Sequence, residues 1–165
     1  MKKPSLIGLA CAVVAGIAIY FTLSRPSDED RIKKVLSDFA AIVTVKPNDT
    51  ILSRTARLRS RMPEVVRDDV AVRIDELHVD LRGRQKLEDD AAKVGLMYQD
   101  AECTFINTKI EIDPAATFAK VDTTALVTAK AGGDRKIDKR SVHVLLRKDG
   151  DWKIDTLDVA PADPP

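Results

Sequence analysis

The chain has 165 residues, 27 basic against 26 acidic, a formal net charge of +1, and only 4% aromatic side chains. Near-neutrality offers no electrostatic footprint for a nucleic acid, and so few aromatics argue against a pocket built for flat ligands. Of the two cysteines, Cys11 lies in an apolar amino-terminal run, so Cys103 has no partner for a disulfide within the folded part.

Residues 6–23 form a charge-free, almost wholly apolar run behind Lys2 and Lys3. Eighteen helical residues at about 1.5 Å each reach roughly 27 Å, enough to cross a hydrocarbon core with little tilt. Residues 1–25 are therefore read as a signal anchor or transmembrane helix that partners the membrane through residues 6–23. The alternative is a cleaved signal peptide and a secreted domain, with Gly16-Ile17-Ala18 or Thr22-Leu23-Ser24 before the cut. The anchor is preferred because cleavage after Ala18 would leave Ile19, Tyr20, Phe21 and Leu23 as an exposed apolar stub. Gly8-Leu9-Ala10-Cys11 is a weak match to a lipobox. Arg25, Arg31, Lys33 and Lys34 leave the charge rule undecided. A short basic head before one apolar run is how export signals are built, which places the domain outside the cytoplasm, in a periplasmic setting.

The remaining ~140 residues suit one domain with one core. Without Lys2, Lys3 and Arg25 that part carries 24 basic residues against 26 acidic ones. Ser27 and Asp30 form a capping-box pattern, and Ile32, Val35, Leu36, Phe39, Ile42 and Val43 follow at helical spacing. Lys46-Pro47-Asn48-Asp49 breaks that helix. Thr50 caps a second one, with Ile51, Leu58 and Met62 on a shared face, which Pro63 is predicted to end. Val70, Val72 and Ile74 alternate with Ala71, Arg73 and Asp75 and predict a strand continuing toward Leu77 and Val79. A third helix is predicted over 84–98, with Leu87, Ala91 and Val94 inward.

From Ala101 the period becomes two, predicting strands over 102–112, 117–130, 138–148 and 152–159. Asp113-Pro114, Ala131-Gly132-Gly133-Asp134 and Asp149-Gly150 supply turn chemistry, so the strands form an antiparallel meander. Pro161, Pro164 and Pro165 predict a disordered tail over 161–165.

This order of elements, ending in Arg147-Lys148-Asp149-Gly150-Asp151-Trp152-Lys153-Ile154, resembles the nuclear-transport-factor-2-like (SnoaL-like, cystatin-like cone) superfamily over residues 26–160. The resemblance implies an α+β fold in which amino-terminal helices pack on a curved antiparallel sheet around a cavity. The superfamily includes dehydratases, isomerases and cyclases beside non-catalytic domains, and a shared fold carries no activity with it. The steroid-isomerising members have a tyrosine on the first helix; here that helix has none, and no positions match the isomerase carboxylates.

Among candidate side chains, Tyr98 closes the third helix, where an amphipathic tyrosine more often packs with a wetted hydroxyl. His143 lies between Val142 and Val144 and takes the opposite sheet face. His78, beside Asp75, Glu76 and Asp80, has no second histidine near it and fits an exposed loop. Cys103 reads as a small buried strand residue. The cluster Arg54, Arg57, Arg59 and Arg61 reads as a solvated helix face paired with Glu64, Asp68 and Asp69; the alternative is contact with anionic lipid or an acidic partner. No catalytic, cofactor or metal signature stands out. The sequence therefore predicts a membrane-anchored, non-catalytic domain binding a protein or small ligand, with homodimerisation plausible. The alternative is a small acid–base enzyme using Tyr98 or His143 in the cone.

Overall fold

The computed structural model describes residues 26–131 and 134–162. The predicted membrane segment, the Gly132-Gly133 turn and residues 163–165 of the tail lie outside them. Among the described residues no helix is long and apolar enough to cross a membrane.

Helix α1 spans Asp28–Val43. Its capping box forms as the sequence predicts: the Asp30 amide donates to Ser27 Oγ at 3.1 Å, and the Ser27 amide donates to Asp30 Oδ2 at 3.2 Å. Ile32, Leu36, Phe39 and Ile42 are buried, with Val35 and Val43 beside them. Helix α2 spans Ile51–Val65 behind a Thr50 cap. Leu58 and Met62 are fully buried, but Ile51 projects from the first turn into solvent. Pro63 does not end α2; it sits inside the last turn, where its missing N–H removes only one ladder bond. The Val66 amide still donates to the Met62 carbonyl.

The strand predicted to run toward Val79 is a hairpin instead. β1 spans Val66–Ile74, a 3-10 turn covers Asp75–Leu77, and β2 spans Val79–Arg82. His78 reverses the chain at φ 50°, and Ile74 pairs with Val79. Leu77 is exposed in the turn, so it does not continue the inward alternation. Helix α3, Arg84–Met97, packs Leu87, Ala91 and Ala92 against the core.

β3 (Asp100–Ile112), β4 (Phe118–Ala131), β5 (Asp134–Asp149) and β6 (Asp151–Pro161) follow. β5 begins four residues before the predicted Asp138. Pro161 ends β6, opposite Arg140, rather than opening a tail. At the sheet's end in sequence this residue needs no further ladder donor. Gly150, at φ 75°, sits between the paired Asp149 and Asp151.

The sheet order is β2-β1-β6-β5-β4-β3. One feature corrects the antiparallel expectation: β1 pairs with β6 in parallel. The strands between them travel out across the sheet and return, so the first and last long strands meet in its middle. At Asn107-Thr108 β3 carries a bulge facing Thr123 of β4, with Asn107 at φ 54°. A second irregularity shifts β6 against Leu145-Leu146 of β5. Bulges bend a sheet and increase its twist, and the curved six-strand sheet receives α1 on its inner face.

Trp152, Ile154, Leu146, Val144 and Val121 fill the core beneath α1. At one end Trp152 Nε1 and Lys148 Nζ each donate to Asp28 Oδ1 at 2.8 Å, fastening the start of α1 to the β5–β6 hairpin. These hydrogen bonds hold the Asp28 carboxyl below its ordinary value near 3.8, as a hydrogen bond from Arg57 does for Asp49. A depressed folded pKa gives stability that is complete above the unfolded value and is lost as pH falls through the folded one. Acid unfolding is therefore expected to steepen below about pH 3.8, with a shallower acid limb in Asp28→Asn and Asp49→Asn, measured by circular dichroism against pH.

Candidate ligand groove

Successive turns of α1 present Lys33, Leu36 and Ser37, Ala40 and Ala41, then Thr44 along one side. These positions recur at helical spacing, and the small side chains leave space between the helix and β3, the edge strand of the sheet. The result is an open groove of about 630 Å³, whose far wall is Glu102, Cys103, Thr104, Phe105 and Thr108. One end is closed by backbone: Val45 and Ala101 exchange N–H···O bonds of 2.7 and 3.0 Å. The bulge beside Thr108 is held by Thr123 Oγ1, which donates to the Ile106 carbonyl at 2.9 Å and lies 2.9 Å from Thr108 Oγ1.

Helix α2 adds Arg57 and Arg61 to the groove, and the connection from α1 adds Lys46. Arg57 makes a two-pronged ion pair with Asp49, Nη1 to Oδ1 at 2.9 Å and Nη2 to Oδ2 at 2.6 Å, and Nη2 also donates to the Thr44 carbonyl. Behind it, Arg54 is 2% exposed. Its guanidinium donates to the carbonyls of Val43, Thr44 and Ala91, closing the carboxyl end of α1 and tying it to α3. Burial and the nearby Arg57 lower the Arg54 pKa; an arginine starts so high that it stays cationic. Gly95 lies against this side chain: a Cβ there would come within 2.8 Å of Arg54 Cδ.

The arginine cluster is thus divided. Arg59 and Arg61 keep loose surface contacts of 3.9 Å with Asp89 and Glu64, as a solvated face predicts. Arg54 and Arg57 turn inward. The signal was present in the sequence, because Arg54 precedes Leu58 and Met62 by four and eight residues and shares their stripe.

Cys103 is largely buried in the groove wall, and burial with the neighbouring Glu102 pushes its thiol up to about 11. It is a protonated thiol at neutral pH, not a nucleophile.

Tyr98 and His143 do not come together. Tyr98 caps α3, half-buried and outside the groove lining. Val142, Val144 and Leu146 face the helices, so His143 stands on the outer face, 60% exposed, with Nδ1 2.6 Å from Asp122 Oδ1. It belongs to a row that crosses all six strands: Lys109, Asp122, His143, Asp158, Arg73 and Asp80 are successive cross-strand partners. Arg73 grips Asp158 through Nε at 2.6 Å and Nη2 at 2.8 Å. Opposite charges facing across strands, as Arg73 and Asp158 do, stabilise a sheet, and His143 hydrogen-bonds within the same row. His78 is exposed in the β1–β2 connection.

No protein-family model matches the sequence, and no curated protein matches it. Solved structures do. The Kfla4162 protein from Kribbella flavida is similar at a TM-score of 0.67 and 9% identity, over 81% of this chain and 89% of that one. An uncharacterized protein with a cystatin-like fold from Caulobacter vibrioides gives 0.62 and 11%, over 82% and 90%. An NTF2-like protein with a cystatin-like fold from Novosphingobium aromaticivorans gives 0.61 and 10%, over 99% and 94%. The shared order of helices and sheet, together with these likenesses, gives this chain the nuclear-transport-factor-2-like, cystatin-like α+β fold.

Proposed function

We propose that the chain is a membrane-anchored, extracytoplasmic, non-catalytic binding domain whose groove between α1 and β3 receives a small ligand. The observation that carries this reading is the groove itself: an apolar floor of Leu36, Ala40, Ala41 and Phe105 under a polar rim, with neither Tyr98 nor His143 in its lining. A concave, mostly apolar surface with a few polar groups suits binding, whereas acid–base chemistry needs a donor within hydrogen-bond reach of the reacting atom. The anchor rests on the apolar run of residues 6–23. Residue 26 enters α1 beside the β5–β6 hairpin, so that end of the domain would lie nearer the bilayer.

Two experiments on the full chain test the two halves of this reading. In cell fractionation, the chain is expected to stay with carbonate-washed membranes and to be digested by protease added to intact spheroplasts. Digestion only after lysis would place the domain on the other side. In dodecylphosphocholine micelles, 1-octanol is expected to shift the amide resonances of Ala40, Cys103 and Phe105, and the groove-filling Ser37→Trp to abolish those shifts. Equal shifts in Ser37→Trp would rule out the groove as the binding site.

A further inference from the structure

The cations around the groove are not balanced. Lys33, Lys46, Arg57 and Arg61 line it against a single carboxylate, Glu102. Lys33 is paired with Glu29 at 2.6 Å and Arg57 with Asp49, while Arg61 keeps only its loose 3.9 Å contact with Glu64. Arg54, buried behind Arg57, makes all its hydrogen bonds to carbonyls and, among the described residues, has no carboxylate in salt-bridge contact. Asp49 pairs with Arg57 alone, so the buried Arg54 charge is met only by carbonyl dipoles and the two guanidinium groups together carry one more positive charge than the carboxylate beside them. An unpaired buried charge is costly, and a nearby anion relieves it. The same cluster leaves a donor unused: Arg57 Nε is buried without a hydrogen-bond partner. Beyond these groups the floor turns apolar, at Leu36, Ala40 and Phe105.

We infer that the groove binds a single-chain anionic amphiphile, its carboxylate at the exposed Lys46 and Arg61 in front of the Arg54–Arg57 cluster and its aliphatic chain along Leu36, Ala40 and Phe105 between α1 and β3. This rests on the reading of the groove as the binding site and adds the chemical class of what it holds. Glu102 on the opposite wall repels a second anionic group, which favours a ligand with one charged head over a dianion with charges at both ends. The excess charge is built into the framework of the domain, because Arg54 also closes α1 and cannot swing out to be neutralised by solvent.

The test uses the full chain in zwitterionic dodecylphosphocholine micelles, which present no anionic lipid, titrated at pH 7 with octanoate, 1-octanol, octylammonium and acetate. Octanoate is expected to saturate, shifting the amides of Ala40, Lys46, Cys103 and Phe105. Its half-saturating concentration is expected to be at least tenfold below those of octylammonium and acetate. Reversing the exposed rim with Lys46→Glu and Arg61→Glu together, which leaves the buried cluster intact, is expected to raise that concentration about tenfold. If octanol and octanoate bind equally and the rim reversal changes nothing, the charge selection is overturned while the groove remains a binding site. If octanoate shifts only scattered surface lysines and arginines, or if no probe moves a groove resonance, both the anion and the groove reading fail.

Discussion

Trp152→Ala is expected to remove about 4 kcal/mol of stability, read as a lower urea midpoint at an unchanged slope. Trp152 is the largest of the fully buried side chains, so truncation leaves a cavity that close-packed neighbours fill only partly. It also removes the donor to Asp28 Oδ1, leaving Lys148 alone to fasten the start of α1 to the β5–β6 hairpin. Trp152→Phe separates the two contributions. It keeps most of the buried area and loses the indole N–H, so a cost of roughly 2 kcal/mol is expected. A cost below about 1 kcal/mol for Trp152→Ala would mean that the core beneath α1 is not packed as described.

Arg54→Met has the second largest expected effect, a loss of about 3 kcal/mol. Methionine retains much of the volume and removes the charge, so packing alone would make the change mild. The loss comes from the carbonyls of Val43, Thr44 and Ala91, which Arg54 satisfies from one planar group. Arg57 still reaches Thr44; nothing replaces the donor to Val43. Arg54→Lys should recover only part of the loss, because a compact ammonium cannot span carbonyls on two helices as a guanidinium fork does. Full recovery in Arg54→Lys would show that the charge, and not the fork geometry, is what the site requires.

The helices and the meander were legible in the sequence because each has a strong local signal. Ser27 with Asp30, Thr50, the stripe ending at Ile42 and Val43, and Asp149-Gly150 all act within a few residues of themselves. The local pattern fails where distant residues decide the outcome. Pro63 looked like a stop, yet Val65 and Met62 are buried and hold the last turn helical. The strand toward Val79 folded back because the 3-10 turn at Asp75–Leu77 lets β2 pair with β1, a choice made by the sheet rather than by alternation. The parallel meeting of β1 and β6 has no local signature at all.

The site was less legible than the fold. Alternation correctly turned His143 away from the helices, but its place in a charged row across six strands depends on register, which no single strand reveals. The groove was missed because it is made by absent bulk, Ser37, Ala40 and Ala41 facing an edge strand, and small residues leave no mark in a hydrophobic pattern. Charge hides Arg54 and Arg57: four arginines without an acid among them suggest water, although two of them share the stripe of Leu58 and Met62 or border it.

The measurement that bears most directly on a binding groove is mass spectrometry of the small molecules extracted from the full chain after purification from its own cells. Three forms should be compared: the unaltered chain, Ser37→Trp, and Tyr98→Phe with His143→Ala. A binding groove predicts a co-purifying molecule in the first and third that is depleted at least tenfold in Ser37→Trp. Identical extracts from the unaltered chain and Ser37→Trp would contradict it.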